Sequence, residues 1–302
     1  MKSNIAITML CIATAALGLP SPTMAQSSDS DGTDKPFFKK SFLLGAHRGG
    51  ELMWPENTVL CFKEAAKTFP GILLETDARM TADGAVILMH DGEVNRTTNG
   101  TGKIEELTLA QIKALDAGYS FTKDGGATYP YRGKGVTVPT LAEALEAAPD
   151  SNFLVEFKGP AALADACVKI IRDTKAQDRV LIASFKPETM ARTREIAPEL
   201  PTCYDFTSGA ALLSALRGDA WAAYKPTSDV LSMDVDMLPQ FQLKPEDIKA
   251  IRAKGIKFQI HTLNEPGIMR TYLDLGVDSI LSDAPDLLAK AIDEWKKESG
   301  KS

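Results

Sequence analysis

The sequence predicts an α/β fold, an eight-stranded TIM (β/α)8 barrel with an insertion after the second barrel strand. Three observations lead there. Short apolar and β-branched runs recur along the chain, helical patterns follow most of them, and helix-start signals stand where those helices should begin. A chain of 302 residues is long enough for one such barrel with a full core.

Strands are expected at residues 42–47, 72–77, 153–157, 180–185, 201–206, 230–235, 256–261 and 278–282. Helices are expected to begin near Thr58, Thr140, Ala161, Pro187, Ser208, Lys244, Pro266 and Pro285. Thr140 with Glu143 makes a capping-box pattern, Asn264 precedes Glu265 and Pro266, and Asp283 precedes Pro285. One stretch breaks the alternation. Between Asp77 and His90 there is room only for a tight turn at Asp83 and Gly84 and the short run 85–89, too little for a parallel crossover. A hairpin over the barrel mouth, returning His90 to it, is the expected result. The Gly-rich segment 91–138 then reads as the insertion, with one helix at 108–117 and a tip at 124–135 where Tyr129, Tyr131 and Arg132 would act in substrate selection.

Lys2, the apolar run 5–19, prolines at 20 and 22 and the small residues around Ala25 read as a cleaved secretory signal, residues 1–25. The run is shorter than the roughly 20 residues of a membrane span and stops at proline, so no stable anchor is expected. Leu10 before Cys11 argues against lipidation. The polar stretch 26–36 reads as a disordered lead-in to a domain covering 37–302, and periplasm and secretion are equally compatible destinations. A formal net charge of −6 argues against wholesale nucleic-acid binding, so an anionic substrate must be attracted locally. Cys61, Cys167 and Cys203 match no metal or disulfide framework and read as buried free thiols, with one disulfide as the alternative.

The chemistry concentrates at expected strand ends, the rim where barrel active sites are built. Residues two apart on a strand share a face, so Glu75 and Asp77 point together, and Glu156 and Lys158 repeat the arrangement on the next strand. Like charges on one face repel, and a cation should hold them. An all-oxygen set without nearby cysteine suits Mg²⁺ or Ca²⁺ better than zinc. His47 and His90 flank the same acidic strand and form the candidate proton-transfer pair. Arg48 can grip phosphoryl oxygens bidentately, with Lys158 as a second positive charge. Ligands, proton carriers and a phosphate clamp together are what metal-assisted phosphodiester cleavage requires.

The ordered motifs His47-Arg48-Gly49, Pro55-Glu56-Asn57-Thr58, Glu75-Thr76-Asp77, His90-Asp91, the run from Arg96 to Gly102, Val155-Glu156-Phe157-Lys158, Ser184-Phe185 and Gly276-Val277-Asp278 leading to Ser282-Asp283 span residues 43–288. In this set the chain resembles the glycerophosphodiester phosphodiesterase family. The resemblance implies a metal on Glu75, Asp77 and Glu156, acid/base work at His47 and His90, Phe185 among the substrate-binding residues, and cleavage of glycerophosphodiesters to glycerol 3-phosphate and an alcohol. One departure stands out. Where family members usually place tryptophan before Thr and Asn near the seventh strand, this chain has His261-Thr262-Leu263-Asn264. His261 is expected to line the substrate wall, with a third titrating group as the other reading. The attacking oxygen, water or the glycerol 2-hydroxyl, and the order of the two histidines stay open. The rival readings are a lysophospholipase D-like hydrolase of single-chain phospholipids and a binding protein that keeps the barrel as an inactive scaffold.

Overall fold

Seven parallel strands curl side by side within residues 34–300, the part of the chain that the computed structural model describes. In chain order the elements are β1 (Leu44–Ala46), α1 (Val59–Thr68), β2 (Leu73–Met80), β3 (Val86–Leu88), α2 (Leu109–Lys113), α3 (Leu141–Ala147), β4 (Asn152–Phe157), α4 (Ala161–Asp173), β5 (Val180–Ala183), α5 (Pro187–Ile196), α6 (Phe206–Arg217), β6 (Val230–Asp234), α7 (Leu238–Phe241), α8 (Pro245–Ala253), β7 (Lys257–His261), α9 (Pro266–Leu275), β8 (Ser279–Ser282) and α10 (Pro285–Ser299). The strands are ordered β5-β4-β2-β1-β8-β7-β6, each neighbour pair parallel. β3 stands apart, antiparallel to the upper half of β2 through the register Ala78 to Leu88 and Met80 to Val86. This is the expected hairpin, and it explains why β2 runs on to Met80 past the predicted end at Asp77.

The gap between β5 and β6 is filled by the predicted strand 201–206, which forms only isolated parallel bridges at Thr202 and Cys203. Its backbone still bonds both neighbours. Cys203 N–H donates to Ile182 O at 2.7 Å, and Tyr204 N–H donates to Val230 O at 2.9 Å, so this stave completes an eight-membered barrel. It stops early because the Asp205 side chain accepts from Ser208 N–H and starts α6 at Phe206. The insertion helix also ends early, at Lys113 rather than 117. Asp116 N–H donates to the Asn99 side chain at 2.8 Å, and the Asp116 carboxylate accepts from Gly118 and Gly133 N–H, geometries that a continuing helix would forbid.

Strand alternation divides the core. Leu74, Phe153, Val155 and Phe157 face outward into the layer covered by α1, α3 and α4, whereas Leu73, Leu154, Leu181 and Leu281 meet Phe37 and Phe42 in a separate cluster. Lys35, within the stretch assigned to the lead-in, is already anchored to Asp229 at 3.0 Å, so the packed fold begins ahead of residue 37. The signal reading of 1–25 lies outside the described residues. Cys61, Cys167 and Cys203 are free and buried, and burial pushes the Cys61 thiol up to about 12. Among the described residues no helix is long and apolar enough to cross a membrane.

Candidate active site

Above the apolar Leu73 and Leu154, the same strand faces carry Glu75, Asp77 and Glu156. Glu75 and Asp77 are 5% and 1% exposed, and one oxygen from each of the three carboxylates lies within 4.8 Å of the others. Register brings them together, because Asp77 pairs with Glu156 across β2 and β4. Burial, then the neighbouring Asp77 charge, pushes Glu75 up to about 8. Lys158 partly offsets this acid cluster, its Nζ lying 2.8 Å from Glu156 and 3.3 Å from Asp77. Asn57, held at φ 54, donates to Asp77 Oδ2 at 2.9 Å and accepts from Thr76 Oγ1 at 2.5 Å, which locks the Asp77 orientation.

His47 directly follows β1 and points its Nε2 to 3.9 Å from Glu75 Oε2. Its Nδ1 meets Asp283 Oδ1 at 2.6 Å. Asp283 is itself held, accepting from Asn264 Nδ2 at 2.7 Å while its own N–H donates to Asn264 Oδ1 at 2.9 Å. Burial alone would lower the imidazole, but the bond to Asp283 and the charges of Glu75 and Asp283 raise it to about 9. The chain then turns sharply so that Arg48 N–H donates to Glu75 Oε2 at 2.7 Å. Gly49 makes that turn possible. It sits at φ +81, and a Cβ there would stand 2.3 Å from Cys61 Sγ.

His90 comes two residues after β3, and the intervening Met89 N–H donates to the Asp77 carbonyl at 2.8 Å. Arg79 clamps the His90 carbonyl with Nε at 3.0 Å and Nη2 at 2.6 Å. Its ring repeats the His47 arrangement, Nδ1 lying 2.8 Å from Asp91 Oδ1. Burial would raise Asp91, yet the bonds from Arg96 and His90 take it down to about 2. Arg96 continues the network with two bonds to Glu56, at 2.5 and 2.8 Å. Glu56 and Glu51 in turn engage Arg48 Nη1, leaving the buried Arg48 Nε without a hydrogen bond and 3.9 Å from Asp77.

A cleft opens over the cluster, lined among others by His47, Glu75, Glu156, Phe185, Ser232 and His261. His90, Arg48 and Lys158 stand outside its wall. His261 is read by its bonds. Gln259 Nε2 donates to Ser279 Oγ, so Gln259 Oε1 accepts the Ser232 hydroxyl at 2.8 Å, and Ser232 Oγ must then accept His261 Nδ1–H at 3.1 Å. Burial, reinforced by the His47 charge, lowers His261 to about 4. A neutral ring with Nδ1 protonated keeps a bare Nε2 acceptor. Asp283, Asn264, Asp91 and Arg96 are the site residues whose positioning roles sequence reasoning missed, although each lay in a quoted motif or a helix-start signal.

A model of the glycerophosphoryl diester phosphodiesterase family matches residues 47–287. The chain belongs to that family. It is 32% identical over 263 residues to a glycerophosphodiester phosphodiesterase of Bacillus subtilis, covering 82% of this chain and 85% of the relative. It is 29% identical to another from Caldanaerobacter subterraneus, covering 83% of this chain and 97% of that protein. Among solved structures, a glycerophosphoryl diester phosphodiesterase domain from Mycobacterium tuberculosis superposes with a TM-score of 0.72 at 20% identity, covering 84% and 100% of the two chains. A phosphodiesterase from Oleispira antarctica, solved with the product sn-glycerol-3-phosphate, gives 0.70 at 24% identity over 84% and 97%. These likenesses support the barrel of this glycerophosphodiester phosphodiesterase family member.

Proposed function

We propose that the protein hydrolyses glycerophosphodiesters to glycerol 3-phosphate and an alcohol. One observation carries the reading: the buried Glu75 and Asp77 and the part-buried Glu156 meet at the barrel rim with His47 Nε2 beside Glu75. Glu75, Asp77 and Glu156 offer oxygen only, which fits Mg²⁺ or Ca²⁺, and burial with the neighbouring Asp77 charge raises the Glu75 carboxyl, a cost that a bound cation would relieve. Bound there, such an ion supplies Lewis-acid neutralisation of the phosphoryl oxygens.

The remaining work falls to the chain. Arg48 has a buried Nε free to donate to a phosphoryl oxygen, and Lys158 adds a second positive charge at the cluster edge. His47 and His90 divide the proton transfers. Each has its Nδ1 bound to a carboxylate, which leaves Nε2 as the working nitrogen. One takes a proton from the attacking oxygen and the other gives one to the departing alkoxide. Phe185 forms an apolar edge of the cleft, and the His261 Nε2 accepts a hydrogen bond from a substrate hydroxyl.

Residues 1–25 act as a cleaved secretory signal, placing the mature enzyme in the periplasm or outside the cell. N-terminal sequencing of the exported protein should begin at Gln26. The decisive assay measures purified protein on glycerophosphocholine and related diesters, with chelator and with added Mg²⁺ or Ca²⁺. Release of glycerol 3-phosphate that chelation abolishes and a divalent ion restores is the expected result. Tight ligand binding without turnover would instead support an inactive scaffold.

A further inference from the structure

Apolar exposure on this protein is one-sided. Leu52 follows β1, Phe185 follows β5 and Phe206 opens α6, and they are 56%, 59% and 63% exposed. Ile268 and Leu287 are exposed in the first turns of α9 and α10, and Tyr119 and Tyr129 in the insertion, which leaves the barrel after His90 and rejoins it at the start of α3. Among the described residues these are all the large hydrophobic side chains left exposed, and every one stands at the end of the barrel where the catalytic strands finish. Scattered apolar residues are ordinary on a protein surface, but scatter would also place them on the helix flanks and the opposite end. Substrate contact does not account for them, since only Phe185 of the set lines the catalytic cleft.

The insertion tip adds charge of the opposite sign to that of the whole chain. Between Tyr119 and Gly135 it carries exposed Lys123, Arg132 and Lys134 against Asp124 alone, in a chain of formal net charge −6. Asp124 is engaged within its own loop, accepting from the Thr122 and Thr128 hydroxyls. The Arg132 guanidinium packs over both the Tyr119 and Tyr129 rings, 4.1 and 3.6 Å from their centroids, and its Nε donates to Tyr119 O at 2.9 Å. Cations held among tyrosines match the headgroup layer of a bilayer, where aromatic rings and basic side chains gather.

We propose that the barrel mouth docks reversibly on a lipid bilayer bearing anionic headgroups, with the insertion tip foremost. The exposed apolar side chains come from separate loops and helix starts with the polar cleft between them, so they offer no continuous apolar core to a protein partner. A fluid surface accepts each of them singly. Glu188, Glu265 and Asp286 stand exposed near Phe185, Ile268 and Leu287, and they keep that part of the rim farther from the anionic plane than the basic tip. Docking sets where the protein works and does not depend on what the cleft cleaves.

The test is co-sedimentation of the exported protein with vesicles of equimolar phosphatidylglycerol and phosphatidylcholine, and with vesicles of phosphatidylcholine alone. Partitioning should favour the anionic vesicles and weaken as added salt screens the tip. Lys123→Gln/Arg132→Gln/Lys134→Gln should bind them on the order of 10²-fold more weakly, at about fivefold for each basic residue near the surface. Lys169→Gln/Lys175→Gln/Lys297→Gln removes the same charge at the trailing ends of α4 and α10 and should change binding little. Leu52→Ser/Leu287→Ser should lose about tenfold or more, because two apolar side chains no longer leave water. Every substituted position is exposed, so the variants should keep the wild-type melting temperature. Absence of binding to either vesicle, equal losses in the two charge variants, or unchanged binding in the serine variant overturns the docking. A vesicle-free dimer that Leu52→Ser/Leu287→Ser dissociates would assign this face to a second copy of the chain and overturn it as well.

Discussion

His47 and Asp283 are bonded Nδ1 to Oδ1 at 2.6 Å although 236 positions separate them in the chain. Barrel closure makes them neighbours, because Ala46 pairs with Ser282 across β1 and β8 and each partner of the bond is the next residue. The carboxylate fixes which nitrogen carries the proton and holds Nε2 toward Glu75. Asp283→Asn should therefore lower kcat by on the order of 10²-fold to 10⁴-fold with a smaller change in KM. The His47 pKa should fall from about 9 in the ion-free variant, since the Asp283 charge that helps raise it is gone while that of Glu75 remains. Steady-state kinetics and imidazole NMR titration measure both, and an undiminished kcat would rule out the orienting role.

Removing the Glu75 charge should stabilise the ion-free protein in a pH-dependent way. Its folded pKa of about 8 lies above the ordinary carboxyl value of 4.5, so the unfolded chain loses this proton first as pH rises. Stability then falls as pH climbs from 4.5 through 8. Glu75→Gln removes that slope. In chelator the variant should melt higher than the wild type at pH 8 and about level with it near pH 4.5. With Mg²⁺ or Ca²⁺ the order should reverse at pH 8, because only the wild type gains stability from binding. Equal melting curves with and without chelator at both pH values count against the ion site.

Much of this site is visible in sequence order because strand periodicity is local. Glu75 with Asp77, and Glu156 with Lys158, follow from spacing alone, and the short run between Asp77 and His90 allowed only a hairpin. What escaped depends on distant chain. Asp283 reaches His47 only when β8 closes on β1, and as a lone residue before Pro285 it looks like a helix-start signal. The stave at 201–206 was readable as a strand, but the capping bond from Ser208 N–H to Asp205 cuts it short. The insertion helix lost its last turn to side-chain bonds from Asn99 and Asp116, partners that helical pattern cannot reveal.

Arg96 binds Asp91 through Nε at 2.6 Å and Glu56 through both terminal nitrogens, tying the His90 orienting group to the acid that engages Arg48. The guanidinium is about half exposed, so the pairs should add little to stability. Their use is positional. Arg96→Ala should cost on the order of 10²-fold in kcat, the scale expected when a reacting group is misplaced by an ångström, with the melting temperature nearly unchanged. Arg96→Lys should rescue poorly, because an ammonium lacks the planar fork that serves two carboxylates at once. A large loss of stability in either variant would mark Arg96 as structural instead.

His261 stands where relatives were expected to carry tryptophan, and the relay Ser279, Gln259, Ser232 forces its proton onto Nδ1. With its pKa lowered to about 4, the ring is neutral through the physiological range and presents Nε2 as an acceptor. His261→Phe keeps the wall and deletes the acceptor. If a substrate hydroxyl donates to Nε2 equally in ground and transition states, KM should rise about fivefold to tenfold while kcat holds, the scale of one lost hydrogen bond. Ser232→Ala should give a smaller rise, because freeing Nδ1 lets the proton move to Nε2 in part of the population. An unchanged KM in the phenylalanine variant leaves His261 only its wall. A fall in kcat alone, moving with pH near 4 in the wild type, would instead make the ring a third proton carrier.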